Sequence, residues 1–464
     1  MLVSFFLWIS FFITSFFQSG LDVNLLQVDP KKDSFSSNLC LSRAYGFNSG
    51  TLSPQVITQL QSSVLNTKVL LTPTEDPAAF SAEPLQSIID IVDEEMEDQE
   101  SSEVEGISDF DLGKITVKVK THRSLDNSVI DIPAVDNYDT VLSLAKISAN
   151  AYVEDPELSS ASWYSVDPFL KEDGFGWDES AIRGYVYTNP EKTLVIMAIK
   201  GTSTMIFDRS GHTAGADKFN DNLMFSCCCA RVDFSWDTVC PCFQNNSTCK
   251  QECLVEYSRK TRSFPFKKNI TLLSDSLNEN RTRTLEVTNI YPVYYYQAIK
   301  IYEQLKKDYP NATIWLTGHS LGGSLASLLA ITYPGTAAVA FSAPGERLFA
   351  ERLGLLPERR KNNTEMLDKL MQSLPIFHIY NTADPIPYGK CTGIWSLCYI
   401  AGYAMETKCH LGQVCEYDIG SGLPFDLQKH KLKYLIQNII MAGHSPPPCR
   451  VQSDCFDCKG WNFV

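Results

Sequence analysis

The chain has 464 residues, of which 44% are hydrophobic, 11% aromatic and 20% charged. That composition excludes a collagen, a coiled coil and a mainly disordered chain. The net charge is −14, but eleven carboxylates and no Lys or Arg lie between Asp90 and Asp111, so the remainder is close to neutral. Nothing in it forms the strongly basic footprint of a nucleic-acid binder.

An apolar stretch runs from Leu2 to Phe17, and the first charge is Asp22. A membrane span wants ~20 apolar residues, so the stretch is somewhat short, and Ser19-Gly20 offers a cleavage point. Residues 1–20 read as a signal anchor or a signal peptide, and both readings stay open. Fifteen cysteines follow, at Cys40 and in the clusters Cys227–Cys253, Cys391–Cys415 and Cys449–Cys458. A reducing cytosol would leave so many thiols unpaired, whereas the secretory route oxidises them into staples. Six N-x-S/T sequons, at Asn245, Asn246, Asn269, Asn280, Asn311 and Asn362, fit the same route as glycosylation acceptors. Zinc is disfavoured, since the cysteine spacings are irregular and zinc pairs belong mostly to reducing compartments. No metal or cofactor is expected.

Residues 21–113 form a lumenal N-terminal region that ends in an acidic linker, Pro73 to Gly113, without the ligand spacing of a calcium loop. The main folded domain is expected over 114–440, with a cysteine-rich insertion at 221–260, followed by a Pro/Cys-rich tail at 441–464. Ile115, Val117 and Val119 alternate as in a strand, and Asp139–Tyr152 has helical spacing. Tyr185–Tyr187 and Leu194–Ile199 read as a hairpin around Asn189-Pro190. A helix near Tyr294–Leu305, a strand at Thr313–Thr317 and a helix at Leu321–Ala330 come next. Strands at Ala337–Phe341 and Ile376–Tyr380 follow. A terminal helix then carries Leu432, Leu435, Ile436, Ile439 and Ile440 on one face. Alternating strands and helices predict an α/β fold with a mostly parallel sheet covered on both sides.

The sharpest local signal is Gly318-His319-Ser320-Leu321-Gly322, a G-x-S-x-G turn with an apolar strand before it and an apolar-striped helix after it. Glycines two residues either side of the serine let strand and helix pass closely, and the helix N-terminus favours a developing oxyanion. Ser320 is therefore the candidate nucleophile. In this fold the acid and then the base follow the serine. Asp384, on the loop after the Ile376–Tyr380 strand, is the candidate acid. Of the seven histidines, His122 and His212 precede the serine and His319 is the elbow's second residue. His378 sits too early to reach back, His410 is hemmed between cysteines, and His444 lies past the last helix. His430, on the loop into that helix, is the candidate base. Lys200-Gly201-Thr202 follows an earlier strand. There Thr202 offers its N–H and its hydroxyl as oxyanion donors, with the Leu321 N–H as partner donor.

Together these residues resemble the class 3 lipase family, an α/β-hydrolase fold, from roughly Asp139 to Ile440. A narrower likeness lies in Ser143-Leu144-Ala145-Lys146, Asp221-Asn222-Leu223, Gly402-Tyr403-Ala404-Met405-Glu406 and Lys408-Cys409-His410-Leu411-Gly412. Cys455-Phe456-Asp457-Cys458-Lys459-Gly460-Trp461 adds to it. This set is similar to the fungal vacuolar lipases that disintegrate autophagic bodies. The resemblance implies a serine lipase or phospholipase acting on membrane lipid esters. It also implies a single-pass type II membrane glycoprotein that travels from the ER through multivesicular bodies to the vacuole. A secreted triacylglycerol lipase or esterase, or an inactive lipid-binding lipase fold, are the competing readings. No protein partner is identified.

Overall fold

The computed structural model of the chain describes residues 107–109, 118–123, 129–157, 162–177, 182–203, 213–230, 238–259, 264–272, 283–356, 364–420 and 423–464. Leu2–Phe17, Cys40, most of the acidic linker, Ile115, Val117, and the sequons at Asn280 and Asn362 lie outside them. Asn245, Asn246 and Asn311 are exposed, and Asn269 lies in the strand Phe264–Leu272. Among the described residues no helix is long and apolar enough to cross a membrane.

The larger of two compact units, 81–268 with 286–464, is built on a sheet whose strand order follows the chain. Its strands are β1 (Leu170–Phe175), β2 (Gly184–Thr188), β3 (Leu194–Ile199), β4 (Thr313–His319), β5 (Ala337–Phe341), β6 (Ile376–Asn381), β7 (Gln413–Tyr417) and β8 (Cys449–Val451). The first three run antiparallel, β3 through β7 run parallel, and β8 returns antiparallel on β7. Parallel strands laid down in one direction keep their right-handed crossovers on one face. The crossover helices are α2 (Ala214–Phe225), α3 (Tyr294–Asp308), α4 (Leu321–Thr332), α5 (Arg347–Leu353) and α6 (Thr364–Ser373). They share a core with Met197, Ile199, Ile314 and Leu316. The alternate residues Ile196, Ala198 and Trp315 face the other side, against α1 (Tyr138–Asn150) and the last helix. Coverage on both faces explains the unbroken apolar runs of β3 and β5, every residue of which except Leu194 is fully buried.

The last helix departs from the expected spacing. One α turn (Leu432–Tyr434) opens into a π-helical stretch (Leu435–Ile440), where Met441 N donates to the Ile436 carbonyl at 2.8 Å. Leu435, Ile436, Ile439 and Ile440 all stay buried through it. Strands β1, β7 and β8 lie outside the elements anticipated above. The first is a mostly exposed edge carrying Lys, Glu and Asp, and β7 interleaves Gln and Glu with its apolar residues. Residues after 440 join the sheet through β8.

Seven disulfides staple the unit. Cys228–Cys249, Cys229–Cys240 and Cys242–Cys253 knit the segment after α2, and Cys391–Cys398 closes a small loop. Cys415–Cys449 clips β8 to β7, while Cys409–Cys455 and Cys227–Cys458 fasten the segment beyond it.

Candidate active site

At the carboxyl end of β4 the chain turns sharply into α4, and Ser320 sits at the turn with φ 56° and ψ −129°. A serine rarely adopts positive φ, so this backbone persists only because its surroundings impose it. Ser320 N donates to the Phe341 carbonyl of β5 at 2.9 Å, and Ser324 N donates to the Ser320 carbonyl at 3.1 Å. A Cβ on Gly322 would collide with the Ile199 carbonyl, and one on Gly318 would lie 2.6 Å from Gly322 backbone atoms. The two glycines thus bring the elbow against the end of β3.

His430 and Asp384 converge on this serine. Ser320 Oγ lies 3.1 Å from His430 Nε2, and His430 Nδ1 lies 3.0 Å from Asp384 Oδ2. The carboxylate is fully buried and accepts the Ile386 N–H on Oδ1 at 3.0 Å. With Nδ1–H donating to Asp384, the lone pair of Nε2 is left to accept the serine proton. The loops that carry Asp384 and His430 are tied together. Asp426 N donates to the Ala383 carbonyl at 3.0 Å, and Asn381 Nδ2 to the Lys429 carbonyl at 3.0 Å. His430 is also held from behind, because His319 Nε2 donates to the His430 carbonyl at 2.8 Å while its Nδ1 accepts from Tyr152 at 2.7 Å. Burial, reinforced by neighbouring His430, pushes His319 down to about 3, so it stays a neutral brace.

The Lys200–Gly201–Thr202 turn lies against the elbow. A Cβ on Gly201 would meet Ser320 Cβ at 3.2 Å. The Thr202 hydroxyl is engaged with a partner that spacing did not suggest, donating to Asp221 Oδ2 of α2 at 2.7 Å. Burial pushes the Asp221 carboxyl well above its ordinary value, against the opposing pull of the Thr202 hydrogen bond. Beside it, buried Asp217 accepts from Ser203 N at 2.7 Å, from Thr213 at 2.8 Å and from Tyr294 at 2.7 Å. Lys200 Nζ stands 3.9 Å from the same carboxylate and donates to the Gly201 carbonyl at 3.0 Å and to Ser203 Oγ. Leu321 opens α4, so its N–H lacks an acceptor within the helix.

His410 and His444 stand apart from the serine. His410 is buried beside the Cys409–Cys455 disulfide, with its ring against Gln452 and the Ala343 carbonyl. His444 is exposed beyond the last helix. Tyr152 and Asp217 are additions to the site that no local motif marked, and Asp221, quoted above only within the Asp221-Asn222-Leu223 likeness, joins it through Thr202.

Residues 266–389 match the family described as lipase (class 3). The chain is similar to the protein named putative lipase ATG15 of Candida glabrata, 37% identical over 403 residues that cover 83% of this chain and 71% of that one. It is similar to the protein of the same name from Pichia angusta, 39% identical over 344 residues, covering 72% of this chain and 55% of the other. Across such relatives the chain spans from 50% to 71% of their length. Among solved structures it is similar to Lip2 lipase from Yarrowia lipolytica at 15% identity and a TM-score of 0.29, covering 60% of this chain and 78% of that one.

Proposed function

Since the chain belongs to the ATG15 lipase family, we propose that it hydrolyses carboxylic esters of membrane lipids through Ser320, His430 and Asp384. The observation that carries this is the relay from Ser320 Oγ to His430 Nε2 and from Nδ1 to Asp384, at 3.1 Å and 3.0 Å. Ser320 Oγ attacks the ester carbonyl carbon as its proton passes to His430 Nε2. Asp384 steadies the imidazolium that results. The carbonyl oxygen becomes an oxyanion within reach of the Leu321 and Thr202 N–H groups, beside the helix N-terminus. Collapse breaks the bond to the alcohol, which leaves with the proton from Nε2, and Ser320 keeps the acyl group as an ester. Water then repeats the cycle in reverse order and frees the fatty acid.

The working place of this chemistry is the membrane of vesicles delivered to the vacuole, autophagic bodies among them. Leu2–Phe17 serves as a signal anchor, with the lipase domain and its sequons lumenal. Two measurements test the reading. A fluorophosphonate should label folded protein at Ser320, and the purified enzyme should release fatty acid from phospholipid vesicles; failure of both sinks the enzymatic role. The glycosylated protein should stay in the membrane pellet after carbonate washing with its N-terminus intact. A mature N-terminus near Leu21 would replace the anchor with a cleaved leader.

A further inference from the structure

From Pro385 to Met405 the chain carries a single charge, Lys390. This stretch leaves the loop that bears Asp384 and forms a small loop closed by Cys391–Cys398. At its tip Ile394 is 61% exposed and Trp395 86%, and the short helix α7 (Leu397–Ala401) adds Leu397 at 45% and Ile400 at 67%. Such side chains normally collapse inward, so what holds them out needs explaining. The disulfide closes the loop, and Ser396 caps α7 by accepting from Tyr399 N at 3.1 Å. Gly402, with φ 77°, ends the helix. Lys218 Nζ donates to the Ala401 carbonyl at 2.8 Å, and Asn222 Nδ2 to the Gly402 carbonyl at 2.9 Å. Both anchors sit on α2, the helix that carries Asp221.

A second apolar pair continues the surface from the other side. Leu423 and Phe425, 53% and 47% exposed, lie just before His430, and the Phe425 ring meets Tyr388 with centroids 5.6 Å apart. The exposed apolar residues therefore spring from the loops that carry the acid and the base, at the carboxyl end of the parallel strands where Ser320 also sits. Exposed apolar side chains gathered on neighbouring loops in this way mark an interaction surface.

We infer that this disulfide-stapled loop is a bilayer wedge, in which Ile394, Trp395, Leu397 and Ile400 enter the acyl region of a phospholipid membrane and seat the catalytic cleft on it. The inference rests on the reading of the site as a lipid esterase. The chemistry favours a bilayer over a protein partner. The Pro385–Met405 stretch carries one charge, so the loop itself offers little for charge complementarity. Its aromatic tip residue, Trp395, belongs to the class that settles at headgroup level. A phospholipid surface also delivers ester bonds to the adjoining serine, which a protein partner does not.

The test uses the full chain with Ser320→Ala, so that no lipid is consumed, and Trp8→Phe, so that the N-terminal segment adds no signal. Phosphatidylcholine vesicles with brominated acyl chains should quench its tryptophan emission, with little effect of salt. Adding Trp395→Phe should remove most of that quenching. Since the N-terminal segment can by itself hold the chain on the vesicle, the reading is the plateau of quenching, which Ile394→Ser with Ile400→Ser should cut to about half or less at an unchanged melting temperature. Quenching that survives Trp395→Phe, or that is absent from the start, overturns the wedge. So does a dimer that Ile400→Ser converts to monomer without affecting vesicle binding, since the face would then pair two copies. Fluorophosphonate labelling of the unsubstituted chain is a separate readout, so the failure of either reading is told apart from that of the other.

Discussion

Two sets of serine, histidine and carboxylate lie in this domain, and only one is arranged to move a proton. In the first, Ser320 and Asp384 address opposite nitrogens of His430. In the second, Ser327 Oγ at 3.3 Å and Glu346 Oε1 at 3.1 Å both face His378 Nε2, while Nδ1 has no partner among the described residues. Ser327 already donates to the Gly323 carbonyl at 3.0 Å, and its helical backbone is unstrained. All three members of the second set are fully buried, whereas Ser320 and His430 each keep 6% exposure. Relay chemistry needs the two ring nitrogens used separately and a route for substrate; composition and proximity do not supply it.

The largest expected effect contrasts the two serines. Ser320→Ala should cut turnover by ~10⁴-fold or more at an unchanged melting temperature, whereas Ser327→Ala should leave turnover within about threefold. Equal losses would mean the second set contributes to the chemistry. The histidines should separate next. His378→Ala takes the imidazole from buried Glu346, which keeps the Leu411 N–H, and should lower unfolding free energy by about 2 kcal/mol in urea titration with little effect on turnover. His430→Ala takes a partner from buried Asp384 in the same way and should cost a similar amount, but it should also abolish turnover. If His378→Ala instead loses turnover with no change in stability, the contrast fails.

Thr202→Val removes the hydroxyl and leaves Asp221 buried with neither oxygen bonded. A kcat loss of ~10²-fold with little change in KM is expected from steady-state kinetics. Asp221→Ala should match it if the hydroxyl works by anchoring the turn, and should be milder if the hydroxyl itself donates to the oxyanion. The smallest effect concerns His410, whose ring lies 4.5 Å from that of His378. Burial, with a further push from His378, holds it down to about 4. The unfolded chain protonates it near 6.5. Its contribution is therefore complete above pH 6.5 and is lost as pH falls toward 4. The stability advantage of wild type over His410→Gln should shrink by about 1.4 kcal/mol per pH unit across that window. A pH-independent difference would show that His410 titrates alike folded and unfolded.

One side of this contrast was legible in the sequence. The elbow points to Ser320 because strained turns demand glycines at fixed offsets, while chain order, with His410 and His444 set aside for their surroundings, directed attention to Asp384 and His430. Helix α2 was not legible. Its buried residues include Asp217, Asn220, Asp221 and Asn222, so the polar periodicity that usually marks a solvent face is turned inward. Asp221 reaches Thr202 across nineteen positions, with no motif to link them. Disulfide partners were equally hidden, because fifteen cysteines admit many pairings and the fold decides which ones meet.

The staple between Cys227 and Cys458 spans 231 residues, against 11 for Cys229–Cys240 and 21 for Cys228–Cys249. At the usual pace of translation, ~5–20 residues per second, that gap takes on the order of 10 to 50 seconds. During it the two neighbouring cysteines can find their partners, but Cys227 must wait as a thiol. It sits two residues past the end of α2, the helix that anchors Thr202. A ribosome halted anywhere between His430 and Cys458 has therefore already made Ser320, Asp384 and the base, yet the helix behind the oxyanion turn has no clasp. The chemistry is encoded early and fastened late.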